Sequence, residues 1–391
     1  MPERPPIVCY GSYDYWSGTR GSPLQLVEAA HRLGHPVLWI NNIGMNMPRA
    51  RRRRGLARRV WQRLRSWSRW LRTIRPGFHV LAPVALPLFG NKRLERWTDR
   101  WLRFQIRLVL RHLGFEDAVA LVCIPSFGNV APNLPHRALV YYYTDKYDAY
   151  RDITAHTAIQ ERDRRLLEAA DLVLCASRLL EEEARRRHPA VIYFPHAVQE
   201  DMFRATLTAE TVEPDDLAPI PHPRVGYFGS LTDSNDMSLV AYCARHDPSL
   251  QFVMIGRRLA AYPELAGLPN VHFLGPKQHE EIPLYGKYLD VGIMNWKMTD
   301  WIRHSSPVKT REYLALGLPV VSVPIAEVEM EYADLVTVAA DGPSFLDAIH
   351  RALAQDDAAA RDRRRERVRG DSWEQRVDLL FRSLEEVARG A

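Results

Sequence analysis

Nowhere does the chain hold a run of about 18 uncharged apolar residues, so no segment reads as a helix that crosses a bilayer. Its opening, MPERPP, lacks the apolar stretch of a secretory signal. Both absences lead to the expectation of a protein kept in the cytoplasm. Cysteine is scarce: Cys9, Cys123, Cys175 and Cys243 stand far apart, with no Cys-x-x-Cys or Cys/His spacing. That excludes a disulfide framework and a zinc ribbon, and three of the four lie inside apolar strand-like runs, as reduced core residues do. No internal repeat marks a solenoid.

Acid is missing from one long stretch. Residues 49–75 contain twelve arginines and no Asp or Glu, within a chain whose formal net charge is +6, so the remainder is acidic on balance. In PRARRRRGLARRVWQRLRSWSRWLRTIR, Val60, Trp61, Leu64, Trp67, Trp70, Leu71 and Ile74 recur at helical spacing among the arginines. Three readings fit: an amphipathic helix on an anionic membrane, an ordinary solvated helix, and a nucleic-acid patch. The interleaved tryptophans, and the lack of any accompanying nucleic-acid motif, favour the membrane, with Arg51, Arg52, Trp61, Trp67 and Trp70 as contacts. Residues 93–113 repeat the mixture with Trp97, Trp101 and Phe104, either extending that surface or facing a core.

Elsewhere short runs rich in Val, Ile and aromatics alternate with amphipathic stretches, the pattern of strand-helix units in parallel sheets. The first series has strands at 7–12, 36–41, 119–124, 138–144, 172–176 and 191–194. The second has them at 225–228, 252–255, 272–274, 291–294, 320–323 and 336–338. Between the two, residues 205–223 carry four prolines and little periodicity and read as a linker. The expected organisation is an α/β chain of two doubly wound, Rossmann-like domains, 1–204 and 224–371. A terminal helix at 372–391 is free to pack on either lobe, including back on the first. Ligands of such folds sit at the carboxyl ends of the strands, here in the cleft between the lobes.

The most informative stretch is HSSPVKTREYLALGLPVVS, residues 304–322. Ser306 reads as an N-cap, Pro307 as the first helical residue and Gly317 as the stop. A helix start with exposed N–H groups and a partial positive charge suits a phosphate. Lys309 lies one turn inside it, and Glu312 shares its face, so an ammonium for phosphate and a carboxylate for ribose hydroxyls stand together.

SPVKTREYLALGLPVV resembles the nucleotide-sugar motif of the GT-B glycosyltransferases, in the large family with a Glu before a Tyr-Leu-Ala-x-Gly-x-Pro-Val-Val run. RVGYFGSLTD, QFVMIGR, LPNVHFLGPKQHEEIPLY and LDVGIMNW follow in that family's order, and ERDRRLLEAADLVLCASRLLEE and FPHAVQEDMF are similar to its first-domain ending. Many members carry two glutamates eight residues apart; here His304 stands where the first would be. In that respect, and in SS-x-x-K, SYDYW and YTDKYDAY, the chain resembles the xanthan-type glucuronosyltransferases, an inverting, membrane-associated group, and also teichuronic-acid-type glycosyltransferases.

The resemblance implies the GT-B fold and transfer of a sugar, from a UDP-sugar by preference, to a polyprenyl-diphosphate-linked saccharide at the inner face of the cell membrane. Inversion requires a base for the acceptor hydroxyl. Asp145, at the end of ALVYYYT, matches the catalytic aspartate of the xanthan-type enzymes; Asp148 and then Asp14 stand next. His196 reads as part of the domain-closing segment, since no nucleophile pattern accompanies it. No Asp-x-Asp follows a strand, so no metal or other cofactor is expected, and Lys309 with the helix end meets the leaving diphosphate. Arg257 and Arg20 are further phosphate candidates, Gly229 and Ser230 allow close backbone approach, and Trp296 and Val308 flank the nucleotide by resemblance. Two other classes remain open: a sugar-nucleotide 2-epimerase on the same fold, and a non-catalytic membrane-surface protein.

Overall fold

The computed structural model describes residues 4–17, 20–43, 67–85, 91–149, 156–208 and 210–390 (backbone alone at 148, 208 and 390). They form two compact units, 1–195 with 373–391, and 196–372. Each unit is an α/β layer structure built on one sheet, the two Rossmann-like halves expected of a GT-B chain.

In the first unit the strands are β1 (Ile7–Tyr10), β2 (Val37–Ile40), β3 (Leu71–Arg75), β4 (Phe78–Leu81), β5 (Val119–Val122), β6 (Ala138–Tyr143), β7 (Leu172–Cys175) and β8 (Val191–Tyr193). They lie in the order β3-β4-β2-β1-β5-β6-β7-β8, and only β3 runs antiparallel to its neighbour. The central strands are buried on both faces, so they read as unbroken apolar runs such as VLWI and VALV. Helices α1 (Ser22–Arg32), α2 (Lys92–Leu113), α3 (His156–Ala169) and α4 (Arg178–Arg185) cover the sheet. The four cysteines are free, buried thiols, Cys9 and Cys123 3.8 Å apart.

The arginine-rich segment is helical at Trp67, its first described residue after Ile43, and departs from the expected helix beyond it. Leu71 and Ile74 belong to β3, which folds back on β4 across Pro76 and Gly77. Gly77 has φ +74°, a conformation open to glycine at little cost, and a Pro-Gly turn ends any helical run here. Pairing along β4 then outweighs the helical spacing of the apolar residues.

The second unit has β9 (Arg224–Phe228), β10 (Gln251–Ile255), β11 (Val271–Gly275), β12 (Val291–Met294), β13 (Val320–Ser322) and β14 (Val336–Val338), all parallel, in the order β11-β10-β9-β12-β13-β14. The order reverses between β9 and β12, the switch point where α/β sheets bind ligands. Its helices are α5 (Glu200–Thr208), α6 (Met237–His246), α7 (Ile282–Lys287), α8 (Asp300–Arg303), α9 (Val308–Leu316), α10 (Ala326–Glu331), α11 (Gly342–Ala354) and α12 (Ala358–Arg367). Residues 205–223 are not a free linker. Ala205–Thr208 continue α5, and Leu217 and Ile220 are buried in the second unit's core, which their apolar side chains join despite the surrounding prolines.

The last helix, α13 (Trp373–Gly390), is part of the first unit. Trp373, 1% exposed, donates its indole N–H to Gln25 Oε1 at 2.8 Å, and the Arg376 guanidinium donates to the Pro195 carbonyl at 2.8 Å. Phe381 stacks on His35 with centroids 4.3 Å apart. Among the described residues no helix is long and apolar enough to cross a membrane.

Candidate functional site

In the second unit the loops after β9, β10 and β11 are laced together by their backbones. Gly229 N–H donates to Ile255 O at 2.8 Å, and Gly256 N–H to Gly275 O at 2.8 Å. A Cβ on Gly256 would lie 1.8 Å from Gly229 O, so only glycine fits there. Gly229 itself has φ +135°, and a Cβ on it would meet Lys309 Cε at 2.6 Å and Nζ at 2.7 Å. The chain thus leaves a bare backbone at the end of β9 with the Lys309 ammonium resting against it. That ammonium also lies 5.4 Å from the Tyr227 ring centre and 5.7 Å from that of Trp296, and the Trp296 indole donates to the Tyr227 hydroxyl at 3.3 Å. Gly229, Trp296 and Lys309 are therefore brought together around an aromatic cradle whose Tyr227 was hidden inside a strand pattern, and Ser230 follows Gly229 in the chain.

Helix α9 begins one residue later than its sequence implies. Pro307 is the N-cap, Val308 the first helical residue, and no side chain caps the start. A proline has no N–H to spare, so at the cap it loses nothing, while its carbonyl accepts from Thr310 N at 3.3 Å. Ser306 does not cap; its hydroxyl is buried and unpartnered within the protein. A helix start without its own cap, a buried orphan hydroxyl and a lysine in the first turn make an arrangement suited to an anion. Glu312 is half-buried on the same helix. Desolvation pushes its carboxyl pKa up, and the Lys309 charge, then His279, pull it partly back. Arg257 follows β10 and is exposed. His304 is occupied within its own helix turn, its Nδ1 2.7 Å from Asp300 O.

The first unit gathers polar groups at the carboxyl ends of β1, β2, β5 and β6. Asp145, half-buried after β6, accepts from the Thr144 hydroxyl at 3.2 Å. Thr144 Oγ1 lies 3.0 Å from the Tyr147 hydroxyl, which donates to the Cys123 carbonyl at 2.7 Å, so the strand end is braced against its neighbour. Asp14 turns back on its own loop, its carboxylate accepting from Trp16 N at 2.8 Å. Arg20, a phosphate candidate in the sequence, is paired with Glu28 at 3.0 Å. A buried carboxylate near a loop arginine captures it more cheaply than solvent does. Asn41, Asn42 and Ser126, which no motif flags, lie in the same set of strand ends: Asn41 Oδ1 accepts from Tyr15 N at 2.9 Å, and Ser126 donates to Asn42 Oδ1 at 3.4 Å. The Asp148 side chain lies outside the described residues. His196 is buried at the start of the second unit.

The model of the family Glycosyl transferases group 1 matches residues 222–355, the segment that holds Gly229, Lys309 and Glu312. Residues 222–355 therefore form a domain of the Glycosyl transferases group 1 type. It is 27% identical over 316 residues to a Bacillus subtilis protein described as a teichuronic acid biosynthesis glycosyltransferase, TuaH, a match covering 75% of this chain and 78% of that one. Sucrose-phosphate synthase from Thermosynechococcus elongatus superimposes with TM-score 0.71 at 16% identity, over 99% of this chain and all of the other. HepE of Anabaena, solved in complex with UDP-glucose, does so with TM-score 0.67 at 13% identity, over 97% and 99%. These two likenesses are of fold.

Of the residues read as membrane contacts, Arg51, Arg52 and Trp61 lie outside the described residues. Trp70 is half-buried and packs on the first unit's core, and the Trp67 indole nitrogen is buried. Among the described residues no three His, Cys, Asp or Glu side chains converge as metal ligands.

Proposed function

We propose that the chain transfers a sugar from a UDP-sugar to a lipid-linked saccharide acceptor, with inversion and without a metal. One observation carries the donor half: Lys309 rests on the bare backbone of Gly229 at the uncapped start of α9, beside the unpartnered Ser306 hydroxyl. A diphosphate there meets an ammonium and the first-turn N–H groups, which are fixed before the reaction and stabilise charge that grows on the leaving group. Glu312, once ionised, accepts from the ribose hydroxyls. HepE, similar in fold, is solved with UDP-glucose, which supports uridine as the nucleoside of the donor. The acceptor half rests on Asp145, whose carboxylate accepts from the Thr144 hydroxyl at the end of β6 and serves in this reading as the base for the acceptor's proton. The likeness to TuaH supports a surface-glycan acceptor.

The test is an incubation with UDP-sugars, with and without a polyprenyl-diphosphate-linked saccharide. UDP release that requires the acceptor, with a lengthened saccharide, is the expected result. A C2 epimer formed from donor alone would replace the transfer reading with an isomerase, and vesicle binding without turnover would leave only a surface protein.

A further inference from the structure

Helix α2 has three faces. At 3.6 residues per turn, Leu102, Ile106, Val109 and Leu110 fall on one side and are buried in the first unit's core. On a second, Leu94, Trp97, Trp101, Phe104 and Leu108 form an outward stripe, with Trp97 62% and Phe104 60% exposed. Their rings stack in series, Trp97 on Trp101 at 6.4 Å and Trp101 on Phe104 at 5.7 Å. Both helix acids, Glu95 and Asp99, turn inward to the buried Arg162. A third face, edging the stripe, carries Arg96, Arg100 and Arg103. These line a depression of about 450 Å³ shared with Asn129, Arg165 and two carboxylates already engaged elsewhere, Asp99 with Arg162 and Glu168 with Arg164.

We infer that this face of α2 docks on an anionic lipid bilayer, the aromatic stripe entering the headgroup boundary and the arginine depression taking lipid phosphates. A single solvated helix does not hold five large apolar side chains in one outward row. Tryptophan stacked beside arginine matches the headgroup region, where each basic side chain near an anionic surface raises binding about fivefold. A second copy of the chain is the poorer occupant, because pairing this face with itself sets the arginines of one depression against those of the other, Arg96, Arg100, Arg103 and Arg165 outweighing the carboxylates of Asp99 and Glu168. The inference deepens the proposed lipid-linked reaction by naming the surface that meets the membrane. It stands on residues other than those of the arginine-rich segment.

The test is flotation of the full chain with vesicles of phosphatidylcholine, with and without phosphatidylglycerol. The wild-type chain floats with the anionic vesicles. Trp97→Ser with Phe104→Ser lowers that binding about tenfold or more, and Arg96→Gln with Arg100→Gln and Arg103→Gln abolishes the preference for phosphatidylglycerol. The replaced side chains are exposed or line an open depression, and Trp101 is kept because its indole donates to Val84 O at 2.8 Å, so an unchanged melting temperature certifies each fold. Undiminished binding by the Trp97/Phe104 variant, or equal binding to both vesicle types, overturns the inference. So does a chain that sediments as a dimer until Trp97 is replaced and never floats. Calorimetric UDP binding reads the second unit separately: a chain that floats but binds no UDP removes the proposed transfer and leaves this surface standing.

Discussion

Gly229→Ala perturbs the donor site through geometry alone. The added methyl would sit 2.6 Å from Lys309 Cε and 2.7 Å from Nζ, against about 3.5–4.0 Å at ordinary contact. The lysine tip is flexible and moves off by about an ångström, so the steric penalty to folding is small. The backbone at φ +135° adds strain of about 1–3 kcal/mol, which lowers stability. For binding, a displaced ammonium forfeits most of a charge-assisted hydrogen bond to the diphosphate, about 1.5–3 kcal/mol, or roughly ten- to more than a hundredfold in Kd. The assay is a calorimetric UDP titration of a double-mutant cycle with Lys309→Ala. If Gly229 acts by leaving room for Lys309, the two losses do not add, and Gly229→Ala costs almost nothing once the lysine is gone. Full additivity, or unchanged affinity in the Gly229→Ala single variant, refutes the reasoning.

Asp145→Asn lowers the transfer rate by about a hundredfold or more while UDP affinity holds, because only the proton acceptor is lost; surviving activity removes Asp145 as the base. Glu312→Gln acts in opposite directions on stability and binding. Its carboxyl pKa is raised in the folded chain, so the wild-type stability contribution is full below the ordinary carboxylate range and fades as pH rises through the raised value. The glutamine variant therefore melts higher at neutral pH, the gap closing toward acid pH, yet binds UDP more weakly. Asp99→Ala leaves the buried Arg162 without its two 3.0 Å bonds and costs about 3–5 kcal/mol in urea unfolding of the first unit. A chelator leaves the rate of transfer unchanged, measured as UDP release; a loss restored by a divalent cation refutes metal independence.

The central strands of the first unit were legible because each is apolar along its whole length, which is what two-sided burial demands. The β3–β4 hairpin was not. Trp67, Trp70, Leu71 and Ile74 continue a helical spacing straight into LRTIR, and only Pro76-Gly77 signals the return; pairing with β4 is a tertiary fact. In the donor site, Lys309, Glu312 and Gly229 announced themselves by motif and spacing. Tyr227 did not, since two residues before Gly229 it is one more apolar position of a strand, and its contact with Trp296 spans 69 residues. Ser306 looked like a cap because its residue type favours that role, yet Pro307 occupies the cap and leaves the hydroxyl unpartnered. The Asp99–Arg162 pair, 63 residues apart, has no local signature, and so the inward turn of both α2 acids, which leaves arginines as the exposed charges beside its aromatic stripe, emerges only in three dimensions.

The central claim is that the start of α9 holds a nucleoside diphosphate. A structure of the chain with UDP tests it most directly: the account predicts β-phosphate oxygens within about 3 Å of Lys309 Nζ and of the first-turn amides of α9. A diphosphate bound elsewhere, with Lys309 still lying against Gly229, would contradict it.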